Sequence, residues 1–433
     1  MAKKTKDSNL SIEERLEQAL IPNWDEPYKL PPNWCWVKLS TVCSLENGEK
    51  STEKDLVYLD AKTLRGVTEP QTRDSGIVVN KDQKVILVDG ENSGEVFVVP
   101  YRGYMGSTFK ILNIVTNADE MYIRYFIDQN RDKLRNSKVG SAIPHLNKDL
   151  FFGLELPFPP LVEQKRIVAH IESLFAKLDG AKDKVQEVID GFETRKAAIL
   201  HKAFTGELTA KWRGEHGVGM ESWEKYKFNE LGTLERGRSK HRPRNDPKLF
   251  GGKYPFIQTG DVARSGMYIT EHTQTLSEVG AEQSKLFPKG TLCITIAANI
   301  GDVSILTYDC CFPDSVVGFT PNERTLSEYI YYLMSTLQRE IEANAPATAQ
   351  KNINLRILND LLLDIPSVAE QTQIVNQVEY LFFQEQHAEE AAEAVLEQID
   401  LMKKSILARA FRGELGTNDT SEESAVELLK QIF

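Results

Sequence analysis

The sequence predicts an α+β protein: two similar α/β globular domains joined by two long antiparallel helices that form a coiled-coil spacer, in a pseudo-twofold arrangement. Two observations predict it. One is a repeat at fixed offset: adding 207 to Pro159, Glu163–Gln164, Ile167–Val168, Leu174–Phe175, Ala203–Phe204 and Gly206 gives Pro366, Glu370–Gln371, Ile374–Val375, Leu381–Phe382, Ala410–Phe411 and Gly413, without a gap. The other is the apolar spacing inside that repeat. Between Glu163 and Phe204, apolar residues fall at 167, 171, 174, 178, 181, 185, 188, 192 and 199. Steps alternating between four and three keep one stripe of a helix turned toward a partner.

The second copy carries Ile374, Val378, Leu381, Ala388, Ala392, Val395, Ile399, Met402 and Ile406 on the same seam, with Glu385 as its polar intruder. About forty helical residues span roughly 60 Å. Pro159 and Pro160 stand before the first helix, and Gly206 sits where a glycine stop belongs. Gly180 and Gly191 each cost roughly 1 kcal/mol against Ala, so packing must hold that helix together. Two such helices favour a mutually packed pair over seams that each pack on their own domain.

The globular segments follow the same order twice. Residues 1–9 are expected to be a disordered tail. Ser11 opens a short helix with Glu14 in the capping-box position. The first segment then shows strand-like runs at Trp36–Leu39, Val57–Leu59, Val85–Val88, Val96–Val99 and Lys110–Val115, a helix from Glu120 to Lys133, a polar loop from Asn136 to Asn147 and a strand from Phe152 to Leu156. In the second, Trp223–Gly237 repeats Trp34–Gly48 at offset 189, while the helix at Glu328 and the loop Ala345–Asn354 repeat at 207. The second segment is thus longer by 18 residues near its start. The expected division is 1–24, tail and short helix; 25–158, first globular domain; 159–210, central helix; 211–365, linker and second domain; 366–416, distal helix; and 417–433, tail helix. That last helix could meet the N-terminal one.

At 433 residues the chain needs more than one core. Its 41% hydrophobic and 27% charged content is ordinary for a soluble protein. The lysine-rich N-terminus does not read as a secretory signal, and no run of 18 apolar residues suggests a membrane span. Five cysteines without a CxxC pair suggest neither zinc nor disulfides, so the cytoplasm is the expected compartment. The net charge of −11 argues against nucleic acid only in bulk. From Glu370 onward 13 acids face 5 bases, a balance of −8, which leaves −3 for the first 369 residues. The acidic excess lies outside the domains between the helices, so those domains remain free to bind DNA.

No phosphate-binding GxxxxGKS loop, His-Glu-x-x-His, GxSxG or carboxylate–lysine nuclease cluster is present, and Cys310-Cys311 reads as a buried strand pair. The strongest local feature is Arg236-Gly-Arg-Ser-Lys-His-Arg-Pro-Arg244: Arg236, Arg238, Lys240, His241, Arg242 and Arg244, with the Ser239 hydroxyl among them. Glycine and proline forbid a helix there, and six such groups in nine residues repel each other without an anionic partner. A mobile loop gripping phosphate or guanine is expected. Gln258 and Thr259 end a strand nearby and suit base edges. Thr348, Gln350, Lys351 and Asn352 offer donors in the polar loop of the second domain. In the first domain the candidates are Lys50, Lys54, Lys62, Arg65, Lys138, Ser141 and His145. Phe175, Phe204, Phe382 and Phe411 lie off the seam and are expected to meet a partner subunit or the base of a domain. No residue suggests a metal site.

Duplicated domains, each followed by a helix opening P-x-x-EQ-x-x-IV and closing AF-x-GEL, resemble the specificity subunit of type I restriction–modification systems. Pro159–Val168 with Pro366–Val375, and Lys202–Leu208 with Arg409–Leu415, carry the resemblance over nearly the whole chain. GRSKHRPRND, GGKYPFIQTGD and LFPKGTLCITIAANIG resemble a common type of target-recognition domain; the first domain lacks the arginine-rich loop. The resemblance implies a noncatalytic subunit in which each target-recognition domain reads one half of a bipartite, asymmetric double-stranded DNA site. It implies helices that set the spacing and dock two methyltransferase subunits, with restriction subunits joined through these. S-adenosylmethionine, ATP and Mg would belong to those partners, and this chain would bind no cofactor. A coiled-coil protein–protein adaptor without DNA binding is the alternative.

Overall fold

A computed structural model describes residues 10–22, 25–137, 144–241, 243–297, 300–343 and 355–433, the side chains of 338–343 excepted. The expected disordered tail, residues 1–9, lies outside them. In chain order the first segment holds α1 (Ile12–Ala19), β1 (Cys35–Lys38), β2 (Cys43–Glu46), β3 (Lys50–Ser51), β4 (Leu56–Leu59), α2 (Ala61–Leu64), β5 (Gln71–Arg73), β6 (Gly76–Val79), β7 (Lys84–Leu87), β8 (Val96–Val98), β9 (Gly103–Met105), β10 (Phe109–Ile114), α3 (Glu120–Gln129), α4 (Arg131–Asn136), α5 (Lys148–Phe152) and β11 (Glu155–Phe158). The helices α6 (Leu161–Asp190), α7 (Phe192–Phe204) and α8 (Ala210–His216) follow. The second segment holds β12 (Glu224–Lys227), β13 (Gly232–Arg236), β14 (Phe250–Phe256), α9 (Thr259–Arg264), β15 (Tyr268–Ile269), β16 (Gln274–Leu276), α10 (Glu278–Glu282), β17 (Leu286–Phe287), β18 (Leu292–Thr295), β19 (Val303–Leu306), β20 (Cys310–Cys311), β21 (Val316–Pro321), α11 (Ser327–Ala343), α12 (Leu355–Asn359) and β22 (Leu362–Ile365). The chain ends with α13 (Val368–Phe411) and α14 (Ala425–Ile432).

Two compact units result: Met1–Val185 with Ala394–Phe433, and Gln186–Glu393. Each therefore takes one globular segment and a piece of both long helices. In the first unit the sheet β2-β10-β7-β8 packs its apolar side on α3 and the start of α6, where Ile167 and Ile171 share a core with Leu407, Ala410 and Phe411 of α13. A second cluster lies under the sheet β3-β6-β9-β4-β5. In the second unit the sheet β13-β21-β18-β19-β15 and α11 share a core with Ala203 of α7 and Ile374, Val375 and Val378 of α13.

The helix pieces run antiparallel within each unit. In the first, Glu163 meets Thr417 and Asp179 meets Lys403; in the second, Arg195 meets Glu385 and Thr209 meets Glu370. One partner's number falls as the other's rises. Glu385, the intruder on the seam, is thus half of an ion pair, 2.8 Å from Arg195 Nε. The first helix is broken at Gly191, where the expected single helix becomes α6 and α7. Arg195 repairs the break: its Nη2 donates to Val188 O at 3.1 Å, and its guanidinium lies 4.2 Å from the Phe192 ring centre. Its counterpart α13 runs 44 residues uninterrupted, roughly 66 Å. The seam is not buried throughout: Val188 is 48% exposed and Met402 50%, while its ends, Ile167, Ile171, Ile374 and Val378, enter the domain cores.

The Glu-Gln pair at the start of each long helix is fully buried, and each residue has its own task. Gln164 accepts from Asp119 N at 2.8 Å and donates to Pro159 O at 2.9 Å. Gln371 accepts from Leu326 N at 3.0 Å and donates to Pro366 O at 2.9 Å. Each glutamine thus ties the long helix to the entry of the domain helix, α3 or α11. The glutamates bind the chain beyond the Gly-Glu-Leu stops. Glu370 accepts from Thr209 Oγ1 (2.7 Å) and Arg213 Nη1 (2.6 Å), and Glu163 accepts from Thr417 Oγ1 (2.6 Å) and Arg166 Nη2 (2.7 Å). Both stops depend on glycine, Gly206 at φ 78° and Gly413 at φ 71°.

The termini meet as expected. Ser11 and Glu14 form the capping box, Leu16 and Leu429 share the first core, and Arg15 Nη1 donates to Phe433 O at 2.9 Å. The tail is further held by Trp34 Nε1 on Asn418 Oδ1 (2.9 Å) and by Arg166 on both oxygens of Glu422 (2.7 Å each). Cys310 and Cys311 form β20, buried and unpaired by any disulfide, and burial pushes the Cys310 thiol up to about 12. Among the described residues no helix is long and apolar enough to cross a membrane, and no His/Cys/Asp/Glu group is arranged to hold a metal.

Candidate nucleic-acid interface

In the second domain the basic loop leaves β13 against the turn before β21. Gly237 N donates to Val316 O (3.0 Å) and Arg238 N to Phe312 O (3.1 Å). Only glycine fits there, because a Cβ at 237 would lie 2.3 Å from Pro313 O. The Gln283 side-chain oxygen accepts from the backbone of Lys240 (2.6 Å) and of His241 (3.0 Å), and Ser284 Oγ donates to Arg238 O at 3.1 Å. The expected mobile loop is therefore a held one.

Its charges are also partly answered from within. Asp314 binds Arg236 through its main-chain oxygen and Arg244 through its carboxylate (2.8 Å). His241 Nε2 lies 2.9 Å from Asp246, whose carboxyl is lowered by the Lys248 backbone N–H and then by His241. These acids supply the counter-charge that the sequence reading sought in an external partner. The side chains of Arg238 and Lys240 are different: both residues are exposed and neither forms an ion pair with a described residue. Arg242 lies outside the described residues.

Gln258 caps α9 by its backbone, its N–H donating to the buried Asp261 at 2.8 Å, and its amide donates to Gln274 Oε1 at 2.8 Å. Ser239, Arg244 and Gln258 come together with Gln283, Ser315, Phe250 and Phe256 around a cleft of about 150 Å³. Thr259 is the first residue of α9 and does not line it. Thr348, Gln350, Lys351 and Asn352 lie outside the described residues.

In the first domain Lys50 on β3, Lys54 before β4 and Lys62 on α2 are exposed. Two of the candidates already have a carboxylate neighbour. Arg65 is bound to Glu95, which also holds Arg131 at 3.1 Å, and His145 Nδ1 lies 2.7 Å from Asp89. Both side chains thus have a polar partner inside the domain. Lys138 and Ser141 lie outside the described residues. Asn147 caps α5, accepting from Leu150 N at 3.1 Å.

The four phenylalanines lie against the globular domain of the unit they belong to: Phe175 and Phe411 in the first, Phe204 and Phe382 in the second. Phe411 is 1% exposed, 5.1 Å from Tyr122 and 5.4 Å from Phe126, so it offers no surface to another subunit. Phe175 meets Tyr125 (5.8 Å), Phe204 meets Tyr329 (5.4 Å) and Phe382 meets Tyr332 (5.8 Å). The reason is helical phase: residues off the seam between helices face the domain that the helix supports. The aromatic side chains left open on α13 are Tyr380 and Phe383.

The two domains share one strand plan at their outer sheets. In the first, β5 pairs antiparallel with β4, β4 parallel with β9, and β9 antiparallel with β6. In the second, β16 pairs with β14, β14 with β20 and β20 with β17 in the same senses. Register places Gln71 opposite Tyr58 and Gln274 opposite Phe256. Gln71, Arg73 and Gln274, exposed on these strands, were missed in the sequence. The shared Gln-Thr of Gln71-Thr72 and Gln274-Thr275 was the available signal, but at offset 203 it falls outside the main repeat.

The sequence profile described as "Type I restriction modification DNA specificity domain" matches residues 31–189 and 220–397, that is, each domain with most of its helix. The chain is 25% identical to the EcoKI specificity subunit of Escherichia coli K12, over 93% of this chain and 96% of that one. It is 24% identical to the MjaVIII specificity subunit of Methanocaldococcus jannaschii, over 89% and 94%. The fold is that of the HsdS subunit from Thermoanaerobacter tengcongensis, with TM-score 0.60 and 19% identity over 90% of this chain and all of that one. A structure described under complex assembly and conformational transition of the type I R-M system matches with TM-score 0.66 and 20% identity, again over 90% and 100%. Two matches of one profile, one on each repeat, cover most of the chain, which belongs to the type I restriction–modification DNA specificity family.

Proposed function

We propose that the chain is the noncatalytic DNA-recognition subunit of a cytoplasmic type I restriction–modification complex. Each globular domain reads one half of a bipartite, asymmetric site in double-stranded DNA. The paired helices set the spacing and dock two methyltransferase subunits, and restriction subunits join through these. S-adenosylmethionine, ATP and Mg are bound by the partners and not by this chain. The observation that carries the reading is the duplicated outer sheet: one strand plan occurs twice with different polar side chains on it, as two readers of different half-sites require. Exposed Arg238 and Lys240 supply attraction for phosphate, and amides such as Gln258 supply pairing with base edges.

The test is to assemble the chain with its methyltransferase subunit and measure binding to cognate and random duplexes, with the methylated motif mapped in host DNA. A split motif and sequence-dependent binding are expected. The absence of any shift on DNA would favour a protein–protein adaptor. The chain alone, incubated with S-adenosylmethionine and DNA, should transfer no methyl group.

A further inference from the structure

The outer sheet of the first domain carries a polar group of a kind suited to base recognition. Side chains alternate across a strand, so Gln71 and Arg73 of β5 share a face, and register puts Tyr58 of β4 on that face with them. The opposite face, with Val57, Leu59 and Met105, belongs to the core. Arg73 lies over the Tyr58 ring, its guanidinium carbon 3.3 Å from the ring centre. Stacking of this kind holds the planar fork in one orientation before any ligand arrives. Other arginines of the domain are already spent: Arg65 is bound to Glu95, and Arg102 to Glu53 at 2.7 Å. Arg73 has no carboxylate partner among the described residues. All three residues of β5 are exposed, and β5 is the edge strand of its sheet. An antiparallel pair at a sheet edge is a two-stranded ribbon, a shape that the DNA major groove admits. An arginine fork matches guanine O6 and N7, and a glutamine amide matches adenine N6 and N7. In the second domain the same strand position holds Gln274, bonded to Gln258 at the mouth of the cleft beside the basic loop.

Resting on the DNA-reading assignment above, we propose that the β4–β5 ribbon is the base-reading element of the first domain, with Arg73 gripping a guanine and Gln71 an adjacent base. The ribbon, rather than the lysines at 50, 54 and 62, then sets the identity of one half-site.

The experiment uses the chain assembled with its methyltransferase subunit, with the methylated motif mapped in host DNA and binding measured on duplexes altered one base pair at a time. Arg73→Lys keeps the charge and loses the fork. It and Arg73→Ala should relax one G·C position in one half-site, with discrimination there falling roughly five- to hundredfold, the range of one bidentate base contact. Gln71→Ala should relax a neighbouring position, and the other half-site should stay intact in all three. An unchanged motif in all three variants overturns the proposal. So does uniform weakening on every sequence in Arg73→Ala that Arg73→Lys fully restores, which marks a phosphate contact. Should the Arg73 variants fail to assemble, Gln71→Ala decides by the same criterion. An unsubstituted complex with no sequence preference would fail the DNA-reading assignment itself, whereas variants that retain a split motif seen in the unsubstituted complex fail the ribbon alone.

Discussion

Arg213→Met should destabilise the second unit far more than its place in a linker helix suggests. Arg213 is 6% exposed and Glu370 1%. Nη1 of the guanidinium lies 2.6 Å from the Glu370 carboxylate and donates to Thr209 Oγ1 at 2.9 Å, while Nη2 donates to Gly206 O at 2.5 Å. Methionine keeps the length and removes the charge, leaving a carboxylate buried with one hydroxyl donor. Breaking one side of a buried pair costs about 3–5 kcal/mol. For a unit of this size 1 kcal/mol corresponds to roughly 2–4 °C, so the transition of that unit should fall by roughly 6–20 °C. Glu370→Gln keeps a partner for Thr209 but leaves the guanidinium uncompensated, and should also destabilise. The double variant removes both charges and should lose clearly less than the sum of the singles. Calorimetry that resolves the two units is the assay. A double variant as costly as the two singles added would show that the charges do not act on each other, and would refute the reasoning. The equivalent pair in the first unit, Glu163 with Arg166, leaves the arginine 35% exposed, and Arg166→Met should cost less.

Three further outcomes are expected. Gly237→Ala places a methyl 2.3 Å from Pro313 O and 2.4 Å from Phe312 O, so the basic loop must move; mapped methylation should lose the half-site read by the second domain, and an intact motif would show that the loop takes no part. Arg238→Ala and Lys240→Ala should each weaken DNA binding on all sequences alike and reduce the salt slope by about one, since each removes one phosphate contact; unchanged slopes in both would remove the assignment. The Glu422 carboxyl is held below its ordinary value by hydrogen bonds from Arg166. A carboxyl lowered in the folded state stabilises above its unfolded value and ceases to as the pH falls through the folded one. Proteolytic protection of the tail should therefore be full above the ordinary glutamate range and drop as the pH falls below it. Glu422→Gln should start with lower protection at the upper end, and equal protection in both proteins would count against the tail contact.

The large elements were legible because each rests on a signal many residues long. Strands such as Leu56–Leu59, Lys84–Leu87 and Phe109–Ile114 fall within a residue of the expected runs, since short apolar runs containing β-branched or aromatic residues mark them. The strands β3, β5 and β9, of two or three residues each, carry too few side chains to show a period, and they were missed. The basic loop was visible as composition, whereas its counter-charges were not: Asp314 stands 70 residues from Arg244.

The sequence by itself determined the duplication, the two long helices with their glycine stops, and the family, because these follow from spacing along the chain. Only the tertiary structure decided what the buried Glu-Gln pairs bind, that Phe204 packs on the second domain and Phe411 on the first, and which side chains stand beside Tyr58. Strand register and helical phase bring those residues together, and neither is set by local spacing. Both depend on how each element settles against a core assembled from distant parts of the chain.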